Sequence, residues 1–178
     1  MPGLPPIGAE IPCSSLAINT PLKIGTMLVT VDFRGGMKHR VDVNPNDPMN
    51  SVIMRLIGLR YTADLPGKDG GADGGTVTIE QSDIDAEPKG RLRLTQQFPP
   101  KYENLIDLST CTMTIDRTDG EPLVLVPKGE ATLIGQLTQY PPKGDLYQLK
   151  ARVEFVDPAK PDDVAAVLEK LPAKVGGL

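Results

Sequence analysis

Tryptophan is absent from the 178-residue chain, and His39 is its one histidine. Cysteine occurs twice, at Cys13 and Cys111, and the aromatics are limited to Tyr 4 and Phe 3. A hydrolytic triad would have to use His39, and no GxSxG nucleophile elbow accompanies it. On a strand, alternation sets His39 on the face opposite Lys38 and Arg40, where a half-buried histidine is an ordinary core residue. Two distant cysteines have neither the number nor the spacing for a zinc knuckle or a redox CxxC pair, and spacing alone leaves open whether they are bridged. No run approaches the ~20 apolar residues needed for a membrane-spanning helix. Basic residues are not in excess: 19 against 23 acidic give a net charge of −4. The alternating pairs Lys38/Arg40 and Arg91/Arg93 lack the interleaved aromatics on which bases stack, so nucleic acid is not an expected partner. The opening MPGLPPIGAEIP has neither the basic start nor the apolar core of a secretory leader, and the expected location is cytoplasmic.

Chain-breakers, by contrast, are plentiful, with Gly 18 and Pro 18. They leave little room for long helices, and the runs between them alternate apolar with polar residues, as half-buried strands do. Thr26–Phe33 and Met37–Val43 read as a hairpin interrupted at Gly35-Gly36. Ser51–Leu65 reads as one long strand. Thr76–Ala86 begins with Val77 and Ile79 inward and then shifts phase, suggesting a bulge or an edge. Arg91–Gln97, Leu105–Asp116, Pro122–Val126, Ala131–Gln139 and Leu146–Val156 complete about nine strands. One helix is expected, Pro161–Leu171. There proline suits the first turn, Asp162 and Asp163 face the positive end of the dipole, and Val164, Val167, Leu168 and Leu171 recur at helical spacing.

The expected architecture is therefore all-β: an antiparallel sandwich or partly closed barrel. A proline-rich arm spans 1–21, the β domain 22–157, and a covering helix and tail 158–178. Within the β domain the chain repeats itself. Gln97–Lys101 (QFPPK) matches Gln139–Lys143 (QYPPK), and the strands around each match extend the likeness over 92–116 and 137–157, as a duplicated supersecondary unit would. Two adjacent prolines end strand pairing and present the preceding ring. Phe98 and Tyr140 are thus expected at equivalent corners, either capping the core or, with Lys101 and Lys143, rimming a ligand or partner site.

Acid–base chemistry without a cofactor could come only from the acidic run Glu80, Asp83 and Asp85. A carboxylate turned into a barrel lumen would be desolvated, its pKa raised, and proton transfer brought within reach. On a solvated edge the same charges only discourage sheet-to-sheet association. The glycine-rich stretch Gly67–Gly75 precedes a strand rather than a helix, so it is no phosphate loop. Its Asp69 and Asp73 fall short of a calcium site, which takes six to eight oxygens. No metal or cofactor is expected. The leading reading is a non-catalytic binding or protein-interaction module on a rigid β scaffold, with a small apolar ligand or a protein as partner and a homodimer through the arm and edge strands. The alternative is a cofactor-independent isomerase or cyclase acting on a small molecule inside a barrel.

Overall fold

The computed structural model describes residues 3–67, 74–118 and 120–177. Three long strands come first: β1 (Glu10–Ile24), β2 (Met27–Val43) and β3 (Ser51–Asp64). Ten shorter ones follow: β4 (Gly75–Gln81), β5 (Arg91–Gln97), β6 (Pro100–Asp107), β7 (Cys111–Arg117), β8 (Leu123–Pro127), β9 (Thr132–Leu137), β10 (Lys143–Leu149), β11 (Val153–Val156), β12 (Val164–Leu168) and β13 (Ala173–Gly177). All pair antiparallel in one 13-stranded sheet.

That sheet closes on itself twice. Pairing runs β1–β2–β3–β5–β6–β9–β10–β13 and back to β1, which makes a first barrel. It also runs β1–β2–β3–β4–β7–β8–β11–β12 and back to β1, which makes a second. The long strands are the common wall. On β1, Cys13–Leu16 pair with β13 and Leu22–Ile24 with β12. On β3, Ser51–Ile53 pair with β5 and Arg60–Asp64 with β4. Each strand thus serves one barrel with one half and its neighbour with the other.

Local chemistry makes that hand-over fit. Between Ala17 and Thr20 the register of β1 slips, and Asn19 takes a positive φ of 57°. Its amide donates to Asp32 Oδ1 at 2.8 Å, while Thr20 Oγ1 donates to the Ala17 carbonyl at 3.0 Å. Such a bulge bends a strand and sharpens its twist. β2 crosses the same region on Gly35 and Gly36. A Cβ on Gly35 would stand 1.7 Å from the Arg60 carbonyl oxygen, and one on Gly36 2.7 Å from that of Cys13. No other residue type fits at Gly35.

Several sequence expectations change here. The Gly35-Gly36 pair lies inside one continuous strand, because the glycines answer a close backbone approach and not a turn. The arm is shorter than 1–21: pairing begins at Glu10, where period-2 burial sets in. Leu105–Asp116 divides into β6 and β7 at a turn in which the Cys111 amide donates to the Leu108 carbonyl. Leu146–Val156 likewise divides into β10 and β11. Neither break carries glycine or proline, so alternation runs through both and the strand count is underestimated. The C-terminal helix is not formed; its residues are β12 and the approach to β13. Bounded by Pro161 and Pro172, the segment is too short to hold a helix by itself, and pairing with β1 and β11 on both sides overrides its propensity.

Candidate functional site

The two interiors differ in chemistry. On the strands unique to the second barrel, the fully buried residues are apolar among the described residues: Val77 and Ile79, Met113 and Ile115 beside the thiol-bearing Cys111, Leu125, Phe155, Leu168. At the ends of β4 and β7, the partly exposed Gln81 and Arg117 each bury one side-chain atom, Oε1 and Nε, without a hydrogen-bond partner. The first barrel buries Ser15, His39, Asn104, Tyr102 and Tyr147 among its aliphatic side chains. Tyr61 stands at the junction. Its ring meets Phe33 edge-on at 6.5 Å, and its hydroxyl donates to Ser15 Oγ at 2.7 Å.

Most of these polar groups are paired. Tyr147 donates to Asn104 Oδ1 at 2.6 Å, and Asn104 Nδ2 donates to the Arg91 carbonyl at 3.1 Å. The Tyr147 ring occupies the space that a side chain at Gly135 would take, since a Cβ there would lie 2.6 Å from it. Tyr102 donates to the Gly3 carbonyl at 3.0 Å, which fastens the N-terminal arm. Burial pushes the hydroxyl pKa of Tyr61, Tyr140 and Tyr147 upward, so all three stay protonated. Burial likewise pushes the Cys13 thiol up to about 11 and that of Cys111 to about 12, and both are free.

His39 is the exception. It is 2% exposed, sits between Ile11 of β1 and Leu56 of β3, and has no hydrogen-bond partner at either Nδ1 or Nε2. Desolvation pushes its pKa down to about 4, so the ring is neutral near pH 7. Its sequence neighbours face outward, where Glu10 receives Lys38 Nζ at 2.9 Å and Arg40 at 3.3 Å. Those two cations hold the Glu10 carboxyl below its usual range.

Register brings one set of strand ends to the mouth of the first barrel that faces away from the second. Here β2 ends, β3 begins, and the β5–β6 and β9–β10 turns lie side by side, because Tyr102 on β6 pairs with Leu137 on β9. These are the two Pro-Pro turns, with cis bonds at Phe98-Pro99 and Tyr140-Pro141. The fold therefore gathers Phe98, Lys101, Tyr140 and Lys143 at one rim, both lysines exposed. The rings are not equivalent corners: Phe98 is 90% exposed, while Tyr140 packs half-buried against the core. The arm reaches the same mouth. The Gly8 amide donates to the Val41 carbonyl, Val41 returns one to Ala9, and Leu4 packs on the core.

The acidic residues are elsewhere. Glu80 faces outward on β4, and Asp83 and Asp85 lie exposed on the connection to β5, where Asp83 Oδ1 accepts the Asp85 amide at 3.0 Å. The phase shift that could have turned a carboxylate inward is the end of the strand at Gln81. Asp69 and Asp73 lie outside the described residues. Among the described residues no cluster of three His, Cys, Asp or Glu could hold a metal ion. No helix is long and apolar enough to cross a membrane. Sequence reasoning set His39 aside as a core residue; its isolation among aliphatic alternation was the signal available.

No family model matches the chain, and no curated protein matches it by sequence. The fold does have a solved counterpart. The structure of DynF, from the dynemicin biosynthesis pathway of Micromonospora chersina, is similar over 99% of this chain and 84% of that one, with a TM-score of 0.62 and 16% identity. At that identity the likeness establishes the fold alone. The chain is an all-β protein of two barrels fused through a shared wall.

Proposed function

We propose that the chain is a non-catalytic binding protein whose first barrel seats a small, mostly apolar molecule. The observation that carries this reading is His39, fully enclosed with both ring nitrogens unpartnered. A buried polar atom left unmet costs about 1–3 kcal/mol, so folded proteins meet such groups with a partner of their own, a water or a ligand. An eight-stranded barrel is of the size that side chains can fill or that can hold one small ligand. Gln81 Oε1 and Arg117 Nε, on the second barrel's strands, also lack partners, but they belong to partly exposed side chains at strand ends, whereas His39 is 2% exposed in mid-strand, which supports assigning the seat to the first barrel. Closure also counts against the interaction reading: among the described residues every strand has a neighbour on both sides, which leaves no whole strand edge open for strand addition.

Likeness to a protein of a biosynthesis pathway favours a second reading, in which the same barrel turns its ligand over as a cofactor-independent isomerase or cyclase. With the carboxylates outside, proton transfer would fall to His39 and the Tyr147–Asn104 pair. The test of both is native mass spectrometry on protein purified gently from its own host. A retained species of small-molecule mass supports the seat, and a mass change on incubating that species with the protein favours the enzyme. A bare chain, with no small-molecule probe perturbing His39 in a histidine-labelled NMR spectrum, would sink the seat.

A further inference from the structure

The polar inventory of the first barrel also limits what the seat can take. Of the four tyrosines, Tyr147, Tyr61 and Tyr102 donate their hydroxyl protons to Asn104, to Ser15 and to the Gly3 carbonyl, while Tyr140 is half-buried at the rim. The Asn104 amide is engaged at both ends. Ser51 Oγ, at the edge of the barrel, donates to the Asp47 carbonyl at 2.9 Å. The one buried carboxylate among the described residues, Asp107, closes the far end of β6, where its Oδ1 accepts both the Ser109 amide and hydroxyl. Among the fully buried side-chain nitrogens and oxygens of this interior, those left without a partner are one ring N–H and one bare ring nitrogen, both on His39.

Resting on the seat proposed above, we infer that its ligand is an uncharged molecule, a hydrocarbon body bearing a hydroxyl or carbonyl that pairs with His39. A carboxylate or ammonium brought into this interior would lose its hydration and find no opposite charge, and an isolated buried ion is far more costly than a buried dipole. A hydroxyl can donate to the bare ring nitrogen, and a carbonyl can accept from the N–H, so either relieves the unmet histidine while giving up little hydration. The rim lysines Lys101 and Lys143 are exposed and leave the interior unchanged.

Because the chain has a single histidine, labelling that residue with ¹⁵N yields one pair of ring resonances and an unambiguous reporter. The probes are p-cresol, p-toluate, p-methylbenzylammonium and toluene, which share one ring and differ in charge and polarity. Near pH 7, p-cresol is expected to shift both His39 nitrogens saturably and to bind at least about tenfold more tightly than either ion. In His39→Phe the advantage of p-cresol over toluene should vanish while toluene still binds, which also shows that the variant is folded. Binding of p-toluate or the ammonium as tightly as p-cresol would overturn the neutral-ligand inference and leave the seat standing. So would p-cresol binding that leaves the His39 resonances unmoved. Failure of all four probes, toluene included, would overturn the seat and this inference together.

Discussion

The two barrels use the same wall and the same strand number yet fill their interiors differently. The second is filled in its middle by aliphatic and aromatic side chains, the ordinary solution for a small barrel, with Gln81 and Arg117 confined to the ends of β4 and β7. The first spends part of its volume on hydroxyls, an amide and an imidazole, and it leaves the imidazole unmatched. If stability were the only requirement, the apolar filling would serve in both. The difference therefore separates a scaffold barrel from one shaped by another demand, and the variants that follow press on it from the largest effect to the smallest.

Gly35→Val should be the most damaging change, because its side chain would collide with the Arg60 carbonyl in the wall that both barrels share. We expect loss of more than about 4 kcal/mol, seen as failure to melt cooperatively, with amide protection lost from both barrels together. Protection surviving in one barrel would show that the two are separable after all.

Next is the acid response, which should belong to the first barrel alone. Folding holds the His39 pKa near 4, below the ordinary 6.5. Between those values the unfolded chain binds a proton that the folded chain refuses, so stability falls as pH drops from about 6.5 to about 4 and is unaffected by this group above that window. The full difference is about 3 kcal/mol. His39→Phe should flatten that slope in denaturant titrations. Leu125→Ala, in the second barrel, should cost about 2–5 kcal/mol at every pH and leave the slope intact.

Tyr147→Phe should cost about 1–3 kcal/mol, since Asn104 Oδ1 loses its buried donor, and thermal melts would register it. The smallest effect is at the rim. Phe98→Ala should stay within about 0.5 kcal/mol of the parent, whereas Tyr140→Ala, which removes a ring packed on the core, should be clearly destabilising. Equal losses at the two positions would restore the symmetry that the repeated turn suggests.

The strands were legible wherever alternation ended at glycine or proline, as at Ser51–Leu65 and Arg91–Gln97. They were not legible where a turn used ordinary residues, as at Ser109-Thr110, or where glycine served packing inside a strand, as at Gly35-Gly36. The helix reading over Pro161–Leu171 failed because Val164, Val167 and Leu168 satisfy both periods over so short a span, and only pairing with β1 and β11 decides between them. Double closure could not be read at all, since the contacts that define it join Leu22 to Leu168 and Val52 to Leu92, far apart in the chain. For the site, the repeated Pro-Pro turns were visible and their meeting at one mouth was not. The unmatched imidazole was invisible, because whether a buried histidine finds a partner depends on every strand around it.

The itinerary of the chain has its own consequence for synthesis. After the common wall, β4 joins the second barrel, β5 and β6 the first, β7 and β8 the second, β9 and β10 the first again, β11 and β12 the second. The chain alternates between them like a lace drawn through two rows of eyelets. Neither ring can be tied until β12 meets β1 and β13 fills the gap between β1 and β10. A chain emerging from the ribosome must therefore carry an unfinished, open-edged sheet through most of its translation, and such edges recruit stray strands. Folding helpers that shield them would matter most for this protein before its final strands appear.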